Sequence, residues 1–190
     1  MTAARRLLPV VFVALASLAW AGNAPAAGGH YVFDGGSAEA RLQVRAALDR
    51  SAFDWSLVQA TITIRISDCG CAGSRPGEIL LDERQLTASP FGPRYAWGIV
   101  QHEYAHQLDF FLLTPADRER VIRRFGGAAW CYEVRGLARD DYGCERLATL
   151  VAWAYWRSTA NVERPDWLPA DAPPLRRDRV RAFVTALVSS

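Results

Sequence analysis

Hydrophobic and polar residues follow two different periods along the chain, and each period predicts a different element. Residues 61–66 alternate strictly, with an isoleucine at every second position, which is typical of a half-buried strand. After Ser37 the apolar residues instead recur every three or four positions to about Arg50, which predicts an amphipathic helix capped by Ser37. The short apolar segment 78–81 predicts a second strand. Turn-rich segments predict irregular structure at 28–36, 67–77 and 82–93.

The second half of the chain is predicted to be mainly helical. Pro93 is well placed to begin a long, largely apolar helix that runs to about Leu113. Thr114 can then cap a shorter helix, which ends at the glycine pair 126–127. Further helices are predicted at 142–157 and near the C-terminus, where Val180, Phe183 and Leu187 face inward. Because neither a repeat nor a linker separates these elements, we expect one α+β domain over residues 22–190.

Residues 1–21 have the pattern of a secretory signal peptide. A pair of arginines precedes an apolar stretch, 7–20, that is too short to span a bilayer comfortably. Cleavage is expected after Ala21, with Ala26 as a second candidate position, and an uncleaved membrane anchor is the alternative. Since no later apolar stretch is long enough to span, the mature chain is expected to be secreted or extracytoplasmic, in the periplasm or cell envelope.

Charge and composition narrow the class of partner. The formal charge is +2, and loss of the two arginines in the signal peptide would leave a neutral chain. A neutral protein has no electrostatic reason to bind nucleic acid or acidic membranes. At 51% hydrophobic residues the chain can bury a core of its own. We therefore expect neither nucleic-acid binding nor stable membrane insertion after signal cleavage.

Four cysteines in an exported chain indicate disulfide bonds, with three possible pairings. Cys131 and Cys144 flank a short loop and are the preferred pair, which would contribute on the order of 3 kcal/mol. Cys69 and Cys71 would then form a tight local pair or remain two free thiols. A cysteine-based metal site is the competing interpretation, but the chain lacks the paired Cys-x-x-Cys spacing of structural zinc sites.

The strongest chemical signal lies inside the predicted long helix. His102 and His106 are four residues apart, so both imidazoles lie on one helical face and can bind one metal ion. Glu103 follows the first histidine and can take a proton from a water molecule at the open side of that metal. Two ordinary histidines on a helix are the alternative. The pattern predicts a metal-assisted hydrolase.

A zinc hydrolase site needs three protein ligands and one open position. Glu145, near the start of a later helix, is the preferred third ligand. Asp109 competes because it lies on nearly the same face as the two histidines, but it is a full turn beyond them. We expect Asp109 instead to orient His106 or to pair with an arginine. The remaining histidine, His30, lies in the glycine-rich loop and is a further possible ligand.

Attack of activated water on a carbonyl also needs a donor for the developing oxyanion. Tyr142, Tyr132 and His30 are candidates, and Tyr142 is preferred because a Cys131–Cys144 bond would hold it beside the third ligand. An extended peptide substrate is expected to pair with segment 78–81 as the edge strand of the sheet.

Segment 102–109, HEYAHQLD, resembles the metal helix of the zincin metallopeptidases of gluzincin type, in the group of Mlc titration factor A and the anthrax lethal factor catalytic domain. The resemblance implies a small mixed sheet packed on a long active-site helix, with a helical C-terminal part. It also implies one Zn²⁺ per chain, held by His102, His106 and Glu145, with Glu103 as general base. Two departures are Thr149, where many gluzincins place an acidic residue, and Tyr142, which lies closer to the glutamate than the usual tyrosine.

These observations together predict a secreted zinc metallopeptidase that hydrolyses peptide bonds in a peptide or protein substrate. A catalytically silent zincin-fold secreted binding protein is the first alternative. A structural protein stabilised by disulfides, with no metal, is the second.

Overall fold

The computed structural model describes residues 28–88, 90, 93–131, 134–168 and 174–189, so the predicted signal peptide lies outside the described residues. Strands and helices mix along this chain, which confirms the predicted α+β class. The strands are β1 (Tyr31–Gly35), β2 (Ile62–Ser67), β3 (Gly73–Arg75) and β4 (Glu78–Asp82). The helices are α1 (Ala38–Leu48), α2 (Glu83–Thr87), α3 (Pro93–Leu112), α4 (Pro115–Phe125), α5 (Gly143–Tyr155) and α6 (Arg177–Val188).

The four strands form one mixed sheet in the order β1-β2-β4-β3. β1, β2 and β4 are parallel neighbours, and β3 is antiparallel to β4. The three isoleucines of β2 are buried on one face, as the alternation predicts. The prediction that segment 78–81 is an edge strand is wrong, because β4 lies between β2 and β3. β3 covers that edge because the chain reverses at Gly77, whose φ of +74° suits glycine.

Three elements form where the sequence predicts irregular structure. β1 replaces most of the predicted glycine-rich loop after its first three residues, β3 lies in the turn-rich segment, and α2 follows β4 directly. β1 and β3 are edge strands and α2 is a single short helix, so none of them carries a long apolar pattern. α2 is capped by Asp82, whose carboxylate accepts a hydrogen bond from the Arg84 amide. Pairing with a neighbour, rather than local periodicity, explains the two strands.

α3 is the central element of the fold and begins and ends close to the predicted positions. It contacts α1, α5 and the β3–β4 hairpin, and its residues 101–109 are all buried. The predicted stripe of α1 (Ala40, Val44, Ala47 and Leu48) is buried against it. On the far side, α6 packs Val180, Val184 and Leu187 onto α5. The small sheet and the C-terminal helices therefore enclose the helix that carries the histidines.

The preferred cysteine pair is confirmed: the Sγ atoms of Cys131 and Cys144 are 1.94 Å apart. Cys69 and Cys71 form the second pair, so the alternative of two free thiols is wrong. His106 lies close to the Cys131–Cys144 sulfur atoms, but disulfide sulfurs are not the thiolates that bind metals. None of the described helices is long and apolar enough to cross a membrane.

Candidate metal centre

The two histidines of α3 lie one turn apart on the face that packs against α5. Their ring centroids are 5.0 Å apart and the rings are nearly perpendicular. Only 1% of His102 and 6% of His106 is exposed. This placement follows from the i, i+4 spacing, which puts both side chains on one side of the helix.

Glu145 lies in the first turn of α5 and meets both histidines. Its Oε2 is 3.1 Å from His102 Nε2, and its Oε1 is 3.6 Å from His106 Nε2. One ligand atom from each residue lies within 4.8 Å of the others. Ligands about 2.0–2.1 Å from a tetrahedral zinc ion are separated by about 3.3 Å, so these three side chains fit a single zinc ion. The structure thus brings the three predicted ligands together.

Close approach of α5 to its neighbours depends on Gly143, its first residue. A Cβ there would lie 2.8 Å from the Trp130 ring and 2.9 Å from the Ile122 side chain. The Gly143 amide donates to the carbonyl of Ala129, and the adjacent Cys144 is bonded to Cys131. The start of α5 is therefore held by packing, a backbone bond and a disulfide immediately before Glu145.

Glu145 and His102 shift each other's pKa in opposite directions. Burial alone would raise the pKa of Glu145, but its hydrogen bonds with His102 and His106 outweigh that effect and hold the pKa well below its usual range. Burial alone would lower the pKa of His102, but its hydrogen bonds with Glu145 and Glu163 raise it to about 9. An ionised carboxylate therefore faces two imidazoles in a nearly closed site.

Glu103 is held by the edge strand β3. The hydroxyl oxygen of Ser74 lies 2.7 Å from the Glu103 carbonyl oxygen and 3.0 Å from its Oε2, so it can donate to either oxygen. The edge strand itself is fixed by Gln107, which donates to the Arg75 carbonyl and accepts from the Gly77 amide. Sequence analysis missed Ser74, because nothing in the turn-rich segment indicates that it folds back onto α3.

The imidazole of His102 is also held from its other nitrogen. Glu163 Oε2 is 3.2 Å from His102 Nδ1, and Thr149 Oγ1 is 3.4 Å from the same atom. Asn161 fixes the segment that carries Glu163, because its side-chain oxygen accepts from the Glu163 amide. Thr149 belongs to α5 itself, whereas Glu163 belongs to the irregular segment after α5. The sequence carries no periodic signal for it.

Arg139 is a third site residue that sequence analysis missed. It belongs to the short 3-10 helix Arg139–Asp141, which precedes α5. Its Nε donates to Glu145 Oε2 at 2.9 Å, and its Nη2 lies 2.7 Å from His102 Nε2. Burial alone would lower the pKa of the guanidinium, but its hydrogen bond to Glu145 and the nearby carboxylates raise it. Arg139 therefore places a permanent positive charge beside the three candidate ligands.

Asp109 is turned away from the three ligands. Its Oδ1 accepts from Arg118 Nε at 2.8 Å, and its Oδ2 accepts from the Trp130 indole at 3.1 Å. The predicted pairing of Asp109 with an arginine is confirmed. Burial raises the pKa of Asp109, and the Arg118 guanidinium opposes that shift.

Two of the predicted oxyanion donors, Tyr142 and His30, lie among the described residues. The Tyr142 hydroxyl donates to the Val134 carbonyl at 2.6 Å, and its catalytic role stays a prediction. Tyr132 lies outside the described residues. His30 is exposed just before β1, where its carbonyl accepts from the Ile62 amide.

A cavity of about 650 Å³ opens over the three candidate ligands and Glu103. Its wall combines β3 on one side with apolar side chains of α3, including Ile99 and Phe110, and with Val162 from the segment after α5. Arg139 and Glu163 also line it. The cavity therefore lies both over the candidate ligands and beside strand β3.

No protein-family model, no curated protein and no solved structure matches this chain. The functional argument consequently depends on the site.

Proposed function

We propose that this protein is an extracytoplasmic zinc-dependent peptidase with a zincin-like arrangement of helix and sheet. One observation carries the proposal: His102, His106 and Glu145 converge at the floor of an open cavity, with Glu103 in its wall. A buried set of two imidazoles and one carboxylate, with a nearby unligated carboxylate, is the composition of a catalytic rather than a structural zinc site.

The three converging side chains would hold one Zn²⁺. When bound, zinc would lower the pKa of a water molecule and polarise a substrate carbonyl. Two imidazoles and one carboxylate would leave one coordination position for water, and all three residues line the cavity.

Glu103 acts as the general base in this proposal. Its carboxylate takes a proton from the attacking water and then gives it to the leaving amine. The Ser74 hydroxyl orients that carboxylate from the strand side. Because Glu103 and His102 are adjacent on one rigid helix, the base and the first ligand keep a fixed separation.

The substrate class follows from the wall of the cavity. Among the described strands β3 has one neighbour, so its outer edge could pair with the backbone of an extended peptide. Ser74 belongs to this strand and also contacts Glu103, so a peptide paired with the strand would lie beside the proposed base. The two cysteine pairs are compatible with an oxidising compartment.

The test measures zinc content and peptide hydrolysis on wild type and Glu103→Gln. We expect about one zinc ion per wild-type chain, because the three proposed ligands form one site. We also expect cleavage of a mixed peptide library, because three ligands leave one coordination position for water. Glu103→Gln should keep its zinc and lose about 10²–10⁴-fold in rate. Glu119→Gln is the matched control, since Glu119 lies exposed on α4 and pairs only with Arg123. Zinc-free wild type, or a variant as active as wild type, contradicts the proposal; zinc without any cleavage favours the silent binding protein.

A further inference from the structure

One guanidinium reaches the same atoms that the candidate metal ligands present to each other. Arg139 contacts Oε2 of Glu145 and Nε2 of His102, which are also 3.1 Å from one another. Its side chain is 63% exposed, whereas that of Glu145 is 7% exposed. Arg139 therefore approaches from the solvent side and lines the cavity above the buried ligands.

The backbone that carries Arg139 is fixed from both sides. Its carbonyl accepts from the Tyr142 amide at 3.2 Å, and the Asp141 carbonyl accepts from the Ala128 amide at 2.8 Å. The Arg146 side chain donates to the Asp140 carbonyl. A long side chain on a fixed turn can hold its guanidinium in place with little further ordering.

The chemistry of arginine limits what this group can do. A guanidinium stays protonated and offers five N–H donors, so it donates hydrogen bonds without transferring a proton. One donor, Nε, is used by Glu145. Of the two terminal nitrogens, Nη2 lies 2.7 Å from His102 Nε2, and the side chain lines the cavity. Such a group stabilises a negative charge that forms next to it.

We propose that Arg139 is a catalytic residue that donates to the oxyanion formed when water attacks the substrate carbonyl. This inference rests on the proposed peptidase function. It assigns the role that sequence analysis gives to Tyr142, whose hydroxyl donates to the Val134 carbonyl. No covalent bond to Arg139 forms or breaks. When water attacks, the π electrons of the carbonyl move to its oxygen, and the guanidinium donates hydrogen bonds to that oxygen. The same electrons reform the carbonyl when the amine leaves.

The experiment compares Arg139→Met and Arg139→Lys with a control, Arg135→Met. Arg135 is an exposed arginine of the same segment. Zinc affinity is measured by competition with a chelator, and kcat and KM on a cleaved peptide. We expect kcat of Arg139→Met to fall by about 10²–10³-fold, the usual cost of one oxyanion donor. Its zinc affinity should change by less than about tenfold, below the loss typical for a residue that orients a ligand. Free guanidinium should partly restore kcat in Arg139→Met and leave Arg135→Met unchanged.

A binding measurement tests the same role without turnover. A phosphinic pseudopeptide with apolar side chains suits Ile99 and Phe110 and places a tetrahedral anion where the oxyanion would form. Its affinity for Arg139→Met should fall by about the same factor as kcat/KM, because transition-state analogues report transition-state binding. Affinity for the uncleaved peptide should change little.

Three results would overturn the assignment. Full kcat at saturating zinc would make Arg139 a positioning residue for Glu145. A rise in KM restricted to peptides with a free C-terminal carboxylate, compared with their amides, would make it a binding residue for that carboxylate. Equal affinity of wild type and Arg139→Met for the pseudopeptide would exclude an oxyanion contact. If wild type binds zinc and the pseudopeptide but cleaves no peptide, only the peptidase function is contradicted. The role of Arg139 is then decided by the pseudopeptide affinities of wild type and Arg139→Met.

Discussion

Removal of the Glu163 carboxylate should weaken metal binding although Glu163 is not itself one of the three ligands. Glu163 Oε2 lies 3.2 Å from His102 Nδ1, and the ring is 1% exposed. A carboxylate on that nitrogen fixes the orientation of the ring and makes its other nitrogen a stronger ligand. The Glu163 side chain is 14% exposed, so solvent screens this contact only in part.

The size of the effect depends on what replaces the carboxylate. Glu163→Leu leaves Nδ1 only the longer Thr149 contact of 3.4 Å. We expect zinc affinity to fall about 10–100-fold, or about 1.4–2.8 kcal/mol. Glu163→Gln keeps an oxygen that accepts from Nδ1–H but has no charge, so its loss should lie at or below about tenfold.

Zinc affinity is measured with a competing chelator at fixed pH, and chemical denaturation of the zinc-free protein is measured in parallel. Asp166→Asn is the matched control, because Asp166 is exposed on the same segment. Equal zinc affinity in Glu163→Leu and wild type would refute the reasoning. A similar loss in Asp166→Asn would show instead that net charge near the cavity, rather than the contact with His102, is responsible.

Three further predictions concern the supports of the site and of the fold. Replacement of Cys131 and Cys144 by serine should lower the free energy of unfolding by about 3 kcal/mol in a denaturant titration, because the bond closes a short loop. The Thr114 hydroxyl holds the pKa of Asp117 below its usual range, so the stabilisation that Asp117 contributes is present above pH about 3.9 and is lost as pH falls through its folded-state pKa; the Tm difference between wild type and Asp117→Asn should shrink there. Gln107→Leu should speed amide exchange in β3 and raise KM for extended peptides more than it lowers kcat, since Gln107 binds the β3–β4 turn to α3.

Each of these three has a control and a contrary result. The Cys69–Cys71 bond closes a much smaller loop, so replacement of this pair by serine should cost less, and equal losses would contradict the loop argument. If the Tm difference between wild type and Asp117→Asn stays constant below pH about 3.9, the stabilisation by Asp117 does not depend on its ionisation. Unchanged exchange in β3, with exposed Gln59→Leu as control, would show that the sheet holds the strand without Gln107.

The part of the site that sequence predicts is the part that local geometry determines. His102 and His106 follow from helix periodicity alone, and Glu103 follows from its position beside them. Prediction of Glu145 needs one more step, the packing of a later helix onto the first. Its position near the start of that helix made it the preferred third ligand. β1 and β3 could not be predicted, because short edge strands are defined by their neighbours rather than by their own pattern.

Ser74, Arg139 and Glu163 were missed for a common physical reason. Each belongs to a short or irregular segment, whose position relative to α3 is set by tertiary contacts. Polar residues are ordinary in such segments, so the residue type alone indicates nothing. The signal that could have found them is an expectation of chemistry: a buried imidazole needs a partner on its second nitrogen, and an oxyanion needs a donor.

Buried side-chain amides hold two of these segments in position at the site. Gln107, which is fully buried, bonds the backbone of the turn after β3, and Asn161, 3% exposed, bonds the Ala152 and Trp156 carbonyls. A buried amide that loses its partners costs about 1–3 kcal/mol, so alternative positions of either segment are disfavoured. Ser74 and Glu163 are thereby placed by residues that contact no candidate ligand themselves. The precision of this site consequently depends on hydrogen bonds to backbone in its surroundings as much as on the helix that carries the histidines.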